Sequence, residues 1–409
     1  MYKESSFSNP TKSTERIASL DALRGFAMLG ILIMNIQSFS MIGAAYVNPL
    51  AFGEFTGANR LIWILSHIFA DQKFMPIFAM LFGAGIVLMS ERFALKGKSA
   101  TALHYRRMFW LIIFGLMHAY MLWYGDILFT YAICGMLVFP LRKLTTKWLL
   151  IIGLAIFSIS SFLYLFFGWS IPYWSSEVLT HNVNSWLPPK AAILNEIANY
   201  QGNWQQQMVS RIPRAYFIQT TMFFMKVVWK TIGLMLIGMA FFKCGVFSAR
   251  RTKRFYLKGI VSALIFGFPL VIFGIVTNFN ANWSFEYSMF FGSQFNYWGS
   301  IFVSFGYISF IMIIFKAKRL NKIIQSFSAI GRTALSNYLL QTIICTTIFY
   351  GHGLGLFAKA NRIEQTVIIL VVWAFQLFIS TVYLKYFRYG PFEWLWRSLS
   401  YNKIQAFKK

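Results

Sequence analysis

The chain has 409 residues, of which 57% are hydrophobic, 19% aromatic and only 12% charged, whereas a soluble domain carries roughly a quarter of its residues as charges. This composition excludes an ordinary soluble enzyme and points to an all-α, polytopic integral membrane protein. The net charge of +26 does not point to nucleic acid, because the basic residues fall in short clusters between apolar runs and no nucleic-acid motif accompanies them.

A helix needs about 20 apolar residues to cross the hydrocarbon core. The first polar stretch, 1–23, reads as a cytoplasmic tail, and about ten transmembrane helices are expected, near 24–46, 73–90, 108–124, 127–141, 148–169, 217–242, 258–277, 297–315, 333–350 and 366–386. The fourth is short, and residues 60–72 form a semi-polar lead-in to the second. On this reading 24–169 is an N-terminal membrane bundle, 170–216 an extracytoplasmic loop, 217–386 a C-terminal membrane bundle and 387–409 a basic cytoplasmic tail. With both termini inside, about three quarters of the 38 Lys and Arg residues fall on the cytoplasmic side, as the positive-inside rule requires. A multi-pass membrane location with both ends in the cytoplasm is expected. Cys134, Cys244 and Cys345 have no paired spacing and suggest neither a disulfide framework nor a metal site.

Ionisable groups at membrane depth are costly and concentrate at functional sites. Along the chain, Asp21 and Arg24 stand three apart at the start of the first span, with Asn35 half-way across. His67 and Asp71 stand four apart on one helical face, and Lys73 then opens the second span ahead of Gly83 and Gly85, which permit close helix packing. An ion pair between Asp71 and Lys73 marking the membrane boundary is the plainer reading. At the end of the third span His118 is followed by Asp126. In a straight helix the two would lie about 12 Å apart, but Gly125 is placed to break the helix. Asn337 and Gln341, one turn apart in the ninth span, form a polar stripe of the kind that holds helices together. No phosphate-binding loop, dinucleotide fingerprint, zinc-protease motif or serine nucleophile elbow is present.

Several of these segments carry a resemblance. The opening Arg16-Ile-Ala-Ser-Leu-Asp21-Ala-Leu-Arg24-Gly25, running on to Asn35-Ile36, then Lys73-Phe74, Leu81-Phe-Gly-Ala-Gly85, His118 to Asp126, and Gly331-Arg-Thr-Ala-Leu-Ser-Asn-Tyr338 resemble the bacterial YeiB-like membrane protein family, whose C-terminal half is a domain of unknown function. That family is similar to the transmembrane acyltransferase superfamily, which includes membrane O-acyltransferases and the lysosomal heparan glucosaminide N-acetyltransferase. The resemblance implies transfer of an acyl group from cytoplasmic acyl-CoA to a hydroxyl or amine of an envelope glycan or lipid, with a histidine taking part. The chain departs from that pattern at Asn35, near where many O-acyltransferases have a histidine.

The expected roles follow. His118 is the base and Asp126 its orienter or an acceptor-binding group; Asp71, Lys73, Asn35, Asn337 and Gln341 hold substrate; Arg24, Arg106, Arg107 and Arg332 attract the phosphates of acyl-CoA. No metal is called for. The expected partners are membrane lipids and the envelope acceptor, not nucleic acid, with a homodimer left open. The alternative is a transporter or flippase of a small or lipid-linked molecule, without covalent chemistry.

Overall fold

The computed structural model describes residues 17–317 and 320–409. Lys3, Lys12, Arg16, Lys318 and Arg319, which enter the charge-based orientation, lie outside the described residues. Among the described residues the secondary structure is helical throughout, apart from one antiparallel bridge between Phe387 and Lys408.

In chain order the helices are α1 (Ala18–Ser40), α2 (Gly57–Phe69), α3 (Phe74–Ala94), α4 (Thr101–Met117), α5 (Leu128–Val138), α6 (Thr146–Ser170), α7 (Ser176–Trp186), α8 (Lys190–Gln201), α9 (Trp204–Lys243), α10 (Lys253–Asn280), α11 (Phe285–Ala317), α12 (Asn321–Arg332), α13 (Ala334–Phe349), α14 (Arg362–Tyr386) and α15 (Pro391–Tyr401). Wide π turns interrupt or extend α4, α9, α10 and α11. Among the described residues, seven helical segments, counting α2 and α3 as one, are long and apolar enough to cross a membrane, which makes this a multi-pass membrane protein. The expected third, fourth and ninth spans are helical as well; α4 with its π turn covers 101–122 but carries the charged Arg106 and Arg107 near its start, and α5 and α13 have 11 and 16 residues, short of the roughly 20 needed to cross alone. The count of ten is therefore not reached on length. Residues 60–72, expected as a lead-in, belong mostly to α2, a separate helix ending at Phe69.

Burial separates two classes of helix. The most apolar windows of α1, of the α2–α3 run and of α9 are 72%, 61% and 61% buried, whereas those of α6, α10 and α14 are 33%, 33% and 28% buried. Helices apolar all round yet largely uncovered need a lipid solvent, and Phe162, Phe166, Ile265, Phe273, Val371 and Phe378 supply such a surface. The inner helices meet at close range. A Cβ at Gly83 would strike the Met235 carbonyl, and one at Gly238 would strike the Met80 carbonyl, so α3 and α9 cross backbone to backbone. This matches the close packing expected of Gly83.

Candidate functional site

Among the described residues two histidine–aspartate pairs occur in the bundle. In the first, α4 runs into a π turn over His118–Leu122, and Trp123 then turns extended. That break folds the chain back, so the 12 Å separation of a straight helix collapses to a hydrogen bond of 2.9 Å between His118 Nδ1 and Asp126 Oδ1. With the carboxylate accepting from Nδ1–H, Nε2 accepts from the Thr342 hydroxyl at 2.9 Å. Asp126 Oδ2 accepts from the Phe129 amide at 2.8 Å and so caps α5. The Tyr338 ring lies 4.9 Å from the imidazole. Arg211, fully buried, donates to the Met121 carbonyl at 2.7 Å and holds the end of the π turn. Both side chains of the pair are 1% exposed. Every polar atom of the pair has a partner within the protein.

The second pair opens onto a cavity of about 300 Å³. Its wall includes His67, Asp71, Lys226, Lys230, Asn296 and Trp63. His67 Nδ1 lies 3.3 Å from Asp71 Oδ2, and the imidazole stacks on Trp63 with ring centroids 4.9 Å apart. Among the described residues Nε2 forms no hydrogen bond, and His67 is part of the cavity wall. Gln72, between α2 and α3, adopts a left-handed φ of 61°, a conformation that costs energy in a non-glycine residue and gathers at functional sites. It turns the chain so that Asp71 and Lys73 meet the same side chain. Asn296 donates to Asp71 Oδ2 at 2.6 Å and accepts from Lys73 Nζ at 2.5 Å. Lys73 is fully buried and also donates to the His67 carbonyl at 2.8 Å. Lys73 therefore braces the pair from behind; it does not line the cavity, and the expected direct ion pair with Asp71 is replaced by the Asn296 bridge.

The aromatic roof comes from segments distant in sequence: α2, the end of α7 and the turn between α10 and α11. Trp63, Trp186 and Trp283 all line the cavity. Trp186 Nε1 donates to the Trp283 carbonyl at 2.7 Å, and the Trp63 and Trp283 rings meet edge to face at 5.3 Å.

The remaining candidates separate by place. Asn337 donates to Ser380 at 2.9 Å, and Gln341 donates to Gln376 at 2.9 Å, so the stripe ties α13 to α14. Asn35 is half-buried in the last two turns of α1, which ends at Ser40 and not near 46, so it is not half-way along this helix. Arg24 donates to Asp21 at 2.8 Å and to the Gly331 carbonyl at 3.3 Å, which brings it beside Arg332. Arg107 stacks on Trp396 of α15 at 4.5 Å and lies within electrostatic reach of Arg24 and Arg397. Arg24, Arg106, Arg107 and Arg332 are each half-buried. Glu393 of α15 accepts from the Leu335 and Ser336 amides at 2.6 and 3.1 Å and so caps α13; burial pushes its carboxyl above the usual range. Among the described residues no three His, Cys, Asp or Glu side chains come together as a metal site would need.

Sequence reasoning missed Lys226, Lys230, Asn296 and Thr342. A signal existed for the lysines: two cations four residues apart inside an apolar span are costly without a purpose. Nothing local marks Asn296 or Thr342, since their roles arise from contacts more than 200 residues apart in sequence.

Residues 241–403 match the family described as "Protein of unknown function (DUF418)". The chain is 32% identical to YxaH of Bacillus subtilis (strain 168), over 98% of both chains. It is 30% identical to YeiB of Escherichia coli (strain K12), over 94% of this chain and 96% of the relative. A 39.9 kDa protein from the amylase 3' region of Bacillus acidopullulyticus is 25% identical over 97% and 96% of the two chains. Near-complete coverage at this identity, together with the helical membrane fold, places the chain in a family: it belongs to the YeiB-like, DUF418-containing membrane proteins.

Proposed function

We propose that this chain is an acyltransferase of the bacterial cytoplasmic membrane, with both termini inside. It moves an acyl group from cytoplasmic acyl-CoA to a hydroxyl or amine of an envelope glycan or lipid. The observation that carries this reading is His67 on the cavity wall, with Asp71 beside Nδ1 and Nε2 unoccupied. That is the arrangement a general base needs: one ring nitrogen oriented by a carboxylate, the other facing the acceptor. His67 Nε2 takes the proton as the acceptor oxygen or nitrogen attacks the thioester carbonyl; the C–S bond breaks, and the proton passes to the departing CoA thiolate. The half-buried arginines Arg24, Arg106, Arg107 and Arg332 support a donor site for the CoA phosphates at the other end of the bundle. Asp71 acts here as orienter, Lys73 and Asn296 as its brace.

A second reading keeps the transfer but puts the base at His118, favoured by its 2.9 Å contact with Asp126. It requires the Thr342 hydroxyl to vacate Nε2 first. The competing class is a transporter, in which Asp71, Lys226 and Lys230 would serve ion coupling or substrate binding without covalent chemistry.

The test uses the purified full chain in proteoliposomes supplied with radiolabelled acetyl-CoA and an envelope lipid or glycan fraction. The acyltransferase reading expects label in the acceptor and stoichiometric release of CoA thiol. A folded protein that neither binds nor turns over any acyl-CoA would overturn it in favour of transport.

A further inference from the structure

The wall of the cavity beside His67 holds more basic than acidic side chains. Asp71 is the one acidic residue on its wall, and Asp71 already faces His67 and, through Asn296, Lys73. Lys226 and Lys230 also line the wall. They stand four apart on α9, where the π turn over Ile218–Val227 widens the helix just before Lys230. Among the described residues neither lysine forms an ion pair. Lys226 lies over the Tyr164 ring at 4.7 Å. Lys230 donates to Gln72 Oε1 at 2.6 Å and lies 5.2 Å from the Tyr297 ring. Two ammonium groups on one face of a membrane helix repel each other, and an anion between them relieves the repulsion.

A second observation concerns neutral groups on the same wall. Trp283 Nε1, Ser288 Oγ and Asn278 Oδ1 are buried and lack hydrogen-bond partners among the described residues, and all three residues line the cavity. Buried polar atoms are normally satisfied, and orphans at one place mark where another molecule supplies the partners. Two can donate and one can accept, which suits a ligand with oxygen acceptors and at least one hydroxyl. The tryptophans of the roof add an aromatic border to the same wall.

We infer that the cavity recognises a phosphate-bearing hydroxylated molecule, with the phosphate held between Lys226 and Lys230 and the hydroxylated body under Trp63, Trp186 and Trp283. This rests on the reading of the cavity as the acceptor site, and it names the acceptor's chemical class. The phosphate belongs either to a lipid headgroup or to a soluble sugar phosphate.

Both sources can be tested with the full chain in nanodiscs, reading the fluorescence of the wall tryptophans and the thermal midpoint. One arm compares glucose 1-phosphate with glucose, and the other compares discs containing phosphatidylglycerol with discs of phosphatidylcholine alone. In at least one arm the phosphate or anionic form is expected to bind roughly 10- to 100-fold more tightly than its neutral counterpart, the worth of charge-assisted hydrogen bonds. The arm that responds identifies the source. Lys226→Gln with Lys230→Gln is expected to abolish the preference, and Lys226→Arg with Lys230→Arg to keep it. Should the glutamine pair fail to fold, Lys226→Gln alone is expected to reduce the preference. No preference in either arm, or a full preference surviving in the folded glutamine variant, would overturn the inference. Acyl transfer is measured separately: loss of transfer with charge preference intact counts against the enzyme reading alone, and loss of preference with transfer intact counts against this inference alone.

Discussion

His118–Asp126 and His67–Asp71 are the same two side chains set in opposite surroundings. The first pair has a 2.9 Å contact, 1% exposure on both sides, and a protein partner for the second ring nitrogen. The second has a looser 3.3 Å contact, 15% and 13% exposure, and a cavity in front of the ring. A closed network in low dielectric stabilises one conformation, because each member would leave a costly unpaired group if removed. An unsatisfied nitrogen facing a cavity adds little stability and is free to exchange a proton. On the proposed function, the tighter geometry belongs to structure and the looser one to chemistry.

The largest effect that would break this contrast is on stability. His118→Ala leaves the Asp126 carboxylate buried with only the Phe129 amide, and is expected to destabilise the protein by about 3–5 kcal/mol. Thermal unfolding in detergent checks this; a variant as stable as the parent would mean that the closed network does not hold the fold. Next is the donor end. Arg107→Gln should weaken acetyl-CoA binding by about 1.5–3 kcal/mol, the range for a hydrogen bond to a charged group, measured by calorimetry; unchanged affinity would remove the arginine cluster from donor binding. The smallest effect belongs to Thr342→Val. It should cost about 1 kcal/mol for one hydrogen bond and leave transfer otherwise intact, whereas a hydroxyl that took part in the chemistry would abolish transfer.

Much of the architecture was legible before the structure. Apolar runs and basic clusters marked the helices because both follow from local composition, and Gly83 announced a close crossing that the Met235 contact bears out. The short α5 and α13 were legible as helices but not as full crossings, since basic clusters mark loop sides and not helix length. His67 and Asp71 were legible as a pair because four-residue spacing on a helix forces proximity. His118 and Asp126 were singled out, but their contact was not, because a π turn and a chain reversal set it. The cavity itself could not be read. Its wall joins Trp63 of α2, Trp186 of α7 and Trp283 between α10 and α11 with lysines of α9, and no local pattern encodes that meeting.

The central claim is that the base is the cavity histidine and not the buried one. It is tested most directly by measuring acyl transfer by His67→Gln and His118→Gln in the same proteoliposome assay, each normalised to folded protein. Loss of a general base lowers turnover by roughly 10² to 10⁴, so His67→Gln should fall by that factor at nearly parental thermal stability. His118→Gln should keep turnover while losing about 1 kcal/mol of stability. The reverse, a folded but inactive His118→Gln protein beside an active His67→Gln protein, would contradict the account and return the chemistry to His118.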